Sequence, residues 1–211
     1  MVEIKEITKP KRNTLDTIVS LHVASFEGFF LSSLHPGFLR QLYKSFATHK
    51  RSTLLVAFDD HEGDMPIGFI AYSYNTTDAY KHMLRRYFFP FVWYSFLSFL
   101  KQPHIFVKLL SALAKPYEFK RETDYVKIFS IGVDPGFRKK GVGSRLISEM
   151  KKRIDFNKYE YITLETDAND NEDANMFYLK NGFRLSSEYY TFEGRHMNKY
   201  HYRKKNENTV S

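Results

Sequence analysis

One junction constrains this chain more than any other stretch. A long apolar, β-branched run, DYVKIFSIGVDP (Asp124 to Pro135), stops at Asp-Pro-Gly. A basic, glycine-bearing loop, FRKKGVGS, then leads into a segment with Leu146, Ile147, Met150 and Ile154 at helical spacing. Strand, glycine loop and helix in that order make an anion site. Glycines let backbone N–H groups close on a ligand, and the helix start adds unpaired donors and the positive end of its dipole. Arg138, Lys139 and Lys140 supply charge for more than one phosphate group. Two phosphate loops fail on chemistry. Gly136 and Gly141 have P-loop spacing, but Val142 and Gly143 stand where lysine and a hydroxyl are required. Gly141 and Gly143 begin a dinucleotide fingerprint, but Leu146 occupies the third glycine position. A basic turn that holds nothing is the bland alternative, and the flanking strand and helix argue against it.

The rest of the chain alternates helix and strand. Leu15, Ile18, Val19, Val23 and Phe26 mark a helix with Thr14 as its cap, and Pro36-Gly37 separates it from a second helix through FLRQLYKSFATH. STLLVAFDD and IGFIAYSYN read as a hairpin around the turn chemistry of DDHEGDMP. YEYITLETD is a strand and NEDANMFYLKNG a helix stopped by Gly182, while RLSSEYYTF and HMNKYHYRK flank a closing turn at Glu193-Gly194-Arg195. The expected organisation is a single domain over residues 1–203 with a disordered tail at 204–211.

Residues 78–121 break the alternation and read as a helical insertion. YFFPFVWYSFLSFL is too short to cross a bilayer, which takes roughly 20 apolar residues, and HIFVKLLSALAK reads as an amphipathic helix. The insertion holds eight Lys or Arg against Asp78 and Glu118, most of the chain's formal charge of +8. Packing on the domain, a lid or dimer contact, and membrane-surface docking through basic and aromatic residues are its three readings. The 211 residues include no cysteine, which excludes disulfides and thiolate metal sites, and no metal is expected. The charged start, MVEIKEITKPKRN, lacks the apolar core of a signal peptide, so a cytoplasmic location is expected. No motif for nucleic-acid recognition is present.

The loop resembles motif A of the GCN5-related N-acetyltransferases: Arg or Gln, two variable residues, Gly, one variable residue, then Gly or Ala. Arg138, Gly141 and Gly143 fill those positions. A second match is independent of the first, with Asn171, Ala174, Tyr178 and Gly182-Phe183 at the spacing that family shows downstream. The resemblance covers almost the whole chain except the insertion and the tail. It implies an α/β fold whose mixed, mostly antiparallel sheet splays between its fourth and fifth strands, with the insertion between the third and fourth. It also implies acetyl-CoA as cosubstrate and direct transfer to an amine, with no enzyme nucleophile.

By the same resemblance, the amides of Lys139, Lys140, Gly141, Val142, Gly143 and Ser144 hold the pyrophosphate. The backbone of Ile131, Gly132 and Val133 pairs with the pantetheine arm, and Val133 N–H meets the oxyanion. Tyr178 protonates the departing thiolate, or else only packs beside Phe177. Asn171 contacts the pantetheine arm, or else caps its helix. For the base, Glu165 and Asp167 share one face at the end of a strand bordering the cleft, and Glu165 is preferred, with His35 its rival. ETDANDNED carries five carboxylates and no cation, which reads as a solvated loop or as an attractant for a cationic acceptor. FEGFFLSSLHPGFLRQLYKSF and EGRHMNKY are similar to sequences from bacterial polysaccharide-biosynthesis clusters, which suggests an amino sugar or nucleotide-linked amino sugar as acceptor. His35 departs from the glycine more usual there. A protein amine, a polyamine, or acetyl-CoA binding without turnover are the alternatives.

Overall fold

A computed structural model describes residues 2–27, 29–59, 65–101, 124–191 and 194–204. The helix expected at HIFVKLLSALAK, the middle of the DDHEGDMP turn and the tail beyond Lys204 lie outside the described residues.

The elements are β1 (Val2–Glu6), α1 (Arg12–Ser25), α2 (Pro36–Thr48), β2 (Ser52–Asp59), β3 (Pro66–Ser73), α3 (Thr76–Lys101), β4 (Tyr125–Val133), α4 (Val142–Arg153), β5 (Tyr161–Asp167), α5 (Glu172–Lys180), β6 (Arg184–Tyr190) and β7 (His196–Tyr202). They build one seven-stranded sheet in the order β1-β2-β3-β4-β5-β7-β6. Only the β4–β5 pair is parallel. The fold is the splayed α/β architecture that the motif resemblance implies.

Helices cover both faces of the sheet. On one face α4 presents Val142, Leu146, Ile147 and Met150 to Leu55, Ala57, Ile70 and Tyr72. On the other, Leu15, Ile18 and Val19 of α1 and Leu39, Tyr43 and Phe46 of α2 meet Leu54, Val56, Phe69 and Ala71. β2 and β3 are buried along almost their whole length, so they read as continuous apolar runs rather than alternating ones.

Three boundaries differ from expectation. β1 is an additional edge strand, VEIKE, where only Val2 and Ile4 pack inward among charged neighbours. α1 begins at Arg12, ahead of the expected Thr14 cap, and α4 begins at Val142 rather than Ser144. The proline-interrupted aromatic run stays helical as part of α3, with non-helical angles at Tyr87 (φ −122°, ψ 16°). Pro90 has no N–H to donate to the carbonyl four residues back and its ring crowds that carbonyl, so the helix kinks one turn upstream. α3 docks on α2 through Tyr87 and Phe91 against Leu34 and Phe38. No helix among the described residues is long and apolar enough to cross a membrane.

Candidate active site

β4 and β5 pair over only three positions, Tyr125–Tyr161, Val126–Ile162 and Lys127–Thr163, and then part. Beyond them β4 stays bound to β3 and β5 to β7. A bulge marks the parting. Ala71 faces Ser130 while Tyr72 faces Ile128, so Phe129 is the extra residue that bends β4 away. The V-shaped gap opens into a cavity of about 500 Å³, within the ordinary range for small-molecule sites.

Beyond Lys127 the second edge of β4 has no strand partner among the described residues. Asp134 N–H donates to Ile67 O of β3. N–H groups alternate direction along a strand, so those of Val133 and Ile131 point to the open edge. That edge is where the resemblance places the pantetheine arm and the oxyanion donor.

The glycine loop lies at the end of this edge. The six amides from Lys139 to Ser144 donate to no backbone acceptor among the described residues, and the first capping bond of α4 is Arg145 N–H to Gly141 O. Gly141 has φ +83°, and a Cβ there would meet only open space, so its requirement is conformational. Gly143 differs. A Cβ there would lie 3.1 Å from the Phe177 ring, so this glycine gives α4 room against α5. The Arg138 side chain donates to Ala24 O at the end of α1 (2.9 Å) and ties the two elements together.

Tyr178 lines the cavity while packing on Phe177, Phe183 and Tyr200, so the two sequence readings of it are compatible. Its hydroxyl has no hydrogen-bond partner among the described residues. Burial, reinforced by Tyr200, pushes its pKa well above the ordinary phenol value, so it stays a protonated donor at neutral pH.

Glu165 lines the cavity from the other arm of the gap. Lys127 Nζ sits 3.0 Å from its carboxylate, bridging the two strands where they part. Tyr189 is its second neighbour. Burial first, and Glu165 next, raise that phenol to about 12. Asp167 is held by Arg195 from the β6–β7 turn, with Nη2 at 2.7 Å from each carboxylate oxygen and Nε at 3.0 Å from one. Two carboxylates of the run that looks cation-free in sequence, Glu165 and Asp167, are thus answered by Lys127 from β4 and Arg195 from the β6–β7 turn.

Asn171 stands at the cap position of α5 without capping it, and its amide turns back to Thr166 Oγ1 (2.7 Å). Its neighbour one turn on, Asn175, joins the strand ends, accepting from Asn198 and from Tyr200 OH at 2.9 Å each. His35 caps α2 by accepting from Gly37 N–H (3.0 Å) and stacks on Tyr94. It is not among the residues that line the cavity.

Several lining residues carry no sequence signal. Arg195 stacks its guanidinium 4.9 Å above Phe29. Tyr80 and Met83 of α3 and Phe129 of the bulge close the far end. His22, Tyr43 and Ser130 form a relay, with His22 Nδ1 2.5 Å from Tyr43 OH and that hydroxyl 3.1 Å from Ser130 Oγ. Burial lowers His22 to about 4, so it is neutral at pH 7. These groups lie on α1, α2, α3, β4 and the β6–β7 turn, and no spacing within any one stretch of sequence points to them. Among the described residues no cluster of three or more His, Asp or Glu could hold a metal.

Comparison with known proteins bears on this geometry. The family model described as "Acetyltransferase (GNAT) family" matches residues 15–183. A GNAT-family protein from Desulfovibrio desulfuricans superposes with TM-score 0.61 at 16% identity, over 96% of this chain and 99% of that one. Arabidopsis thaliana NAA60 in complex with acetyl-CoA gives 0.59 at 15% identity, over 96% and 98%. The ribosomal-protein-S18-alanine N-acetyltransferase of Escherichia coli gives 0.54 at 13%, over the full length of both. No curated protein matches by sequence. The family match spans both motifs and every element from α1 to α5, and with the splayed sheet it places the chain in the GNAT family of acetyltransferases.

Proposed function

We propose that this protein transfers the acetyl group of acetyl-CoA directly to the primary amine of a small acceptor, an amino sugar or a nucleotide-linked amino sugar. The observation that carries the reading is the alignment of three features on one path: unpaired amides at residues 139–144, the open edge of β4, and a cavity lined by Tyr178 and Glu165. These residues fit the cosubstrate. The loop amides offer donors to a pyrophosphate, and the β4 edge offers backbone donors and acceptors to a peptide-like arm.

When bound, acetyl-CoA supplies an activated thioester carbonyl. The chain's own residues do the rest. The open β4 edge sets the carbonyl's position, and Val133 N–H is aimed where negative charge develops. Glu165 takes the proton of the acceptor ammonium once its pair with Lys127 opens. Tyr178 gives its proton to the departing sulfur. The mostly apolar walls disfavour water, and positioning of the two substrates contributes much of the rate.

A second reading draws on Phe26, Phe29, Phe38 and Phe46 in the cavity wall, which suit an amine with an apolar body such as a protein N-terminus. Thiol release from acetyl-CoA, measured against amino sugars, nucleotide-linked amino sugars, polyamines and peptides, separates the readings. Turnover on an amino sugar is expected. Turnover on peptides alone would move the assignment to protein amines. Acetyl-CoA binding with no thiol release on any amine would reduce the protein to a binding module.

A further inference from the structure

The end of α2 and the first turns of α3 face each other across a surface hollow of about 620 Å³. Lys50, Lys81, Arg85 and Arg86 line it together with His49 and His82. Its one acid, Asp78, is held by Arg51 outside the hollow at 3.0 Å. None of those four Lys and Arg side chains forms an ion pair or hydrogen bond with a described residue. Lys81 and Arg85 stand one helical turn apart, where like charges repel, so α3 carries a local electrostatic cost that no ion pair among the described residues relieves.

The two histidines record the same field. Their rings lie 4.9 Å apart. Burial lowers both below the usual imidazole value. His82, Lys50 and Arg51 add to this at His49, where Asp78 alone opposes it, and Arg86 adds to it at His82. The hollow is also not isolated. His49 lines both it and the cavity between the splayed strands, and Ser45, Ser52 and Ala79 continue the cavity wall up to that point. A molecule with its amine in the cavity can leave through this end and set an anionic group among the cations.

We propose that this hollow is a phosphate-binding subsite for the acceptor, so that the substrate is an amine carrying phosphate or diphosphate, as in a nucleoside diphosphate-linked amino sugar. This rests on the acetyltransferase reading above and names the acceptor class for that site. The hollow is concave and adjoins the cavity at His49, which suits a small phosphate ester better than a membrane surface.

The test uses the full chain saturated with CoA, so that the glycine loop is filled, and titrates sodium pyrophosphate by calorimetry. Saturable binding is expected, weakened at least tenfold in Arg85→Ala/Arg86→Ala and, by a smaller factor, in Lys81→Ala. These side chains are exposed, and an unchanged melting temperature will show that the variants fold. In the thiol-release assay, the ratio of kcat/KM for a nucleotide-linked amino sugar to that for the free amino sugar should fall at least tenfold in the double variant, with acetyl-CoA affinity retained. No saturable pyrophosphate binding, or equal binding by wild type and double variant, overturns the proposal. So does Arg85- and Arg86-dependent sedimentation with phosphatidylserine vesicles in a protein that ignores pyrophosphate, which assigns the cations to a membrane. Pyrophosphate binding with no thiol release on any amine instead sinks the transferase reading, and the acceptor assignment with it.

Discussion

The two walls of the splayed cavity are built in different ways. The wall that carries the glycine loop is nearly contiguous. Val133 to Arg153 runs as strand end, loop and helix, and Asn171 to Phe183 follows as one helix and its stop. The facing wall is gathered from Phe29 after α1, Phe38 and Phe46 of α2, Tyr80 and Met83 of α3, Phe129 of β4 and Arg195 of the β6–β7 turn. In the proposed function the first wall meets a ligand part that is always the same, so short-range chemistry suffices to hold it. The second meets the acceptor in that reading, and its residues come together only because the sheet and three helices bring them there. Cofactor recognition and acceptor recognition should therefore be separable by mutation.

The largest effect is expected where the walls meet. Tyr178→Phe keeps the ring and its packing and loses only the hydroxyl. kcat should fall by about 100-fold or more, with acetyl-CoA affinity little changed. A kcat within about threefold of wild type, with chemistry shown to be rate-limiting, would leave Tyr178 a packing residue.

The next effect concerns the scaffold of the acceptor wall. His22 is held at about 4, against 6.5 for the free side chain. The unfolded chain therefore takes up a proton that the folded chain refuses between those values. Stability is full above about pH 6.5 and falls as pH drops toward 4, by on the order of 3 kcal/mol from this group. Urea unfolding across that window should show a flatter profile for His22→Asn, which still gives Tyr43 a hydrogen-bonding partner. Parallel profiles would assign the acid sensitivity elsewhere.

Gly141→Val tests the first wall alone. A β-branched residue resists φ +83°, and the loop amides should lose their common aim. Acetyl-CoA should bind about tenfold more weakly, or ~1.4 kcal/mol, with acceptor KM little changed. Gly143→Ala tests a different requirement, since its methyl group presses on Phe177, and it should lower the melting temperature more than the affinity. An acceptor KM that moves with Gly141 would break the separation of the walls.

The smallest expected effect is that of Arg195→Ala. It frees Asp167 and uncovers Phe29, both at the acceptor side. The pair is partly exposed, with side-chain exposures of 40% and 21%, so solvent screening limits its worth. A rise of roughly threefold to tenfold in acceptor KM is expected, and none in the affinity for acetyl-CoA.

The same division governs what could be read without coordinates. Strand β4, the loop and α4 were legible because one stretch holds the apolar run, the stop, the glycines and the next helical stripe. Tyr178 was legible from its spacing to Asn171 and Gly182. The roles of the two loop glycines were not, since Gly143 answers to Phe177, 34 positions away in the chain. β1 was hidden because an edge strand that buries only Val2 and Ile4 leaves a weak pattern among charges. His35, plausible as a base from its place between two helices, turned out to cap α2 and stack on Tyr94.

By itself, then, the sequence determined the order of elements from α1 onward, the glycine loop and the family, because each depends on hydrogen-bonding and packing preferences set within a few residues. Only the tertiary structure decided that β4 bulges at Phe129, that Lys127 and Arg195 hold Glu165 and Asp167, that α3 docks through Tyr87 and Phe91 on Leu34 and Phe38, and that four cations with no ion pair among the described residues share a hollow with His49. Those features depend on distances between residues far apart in the chain, and such distances exist only after the two cores have closed on the sheet.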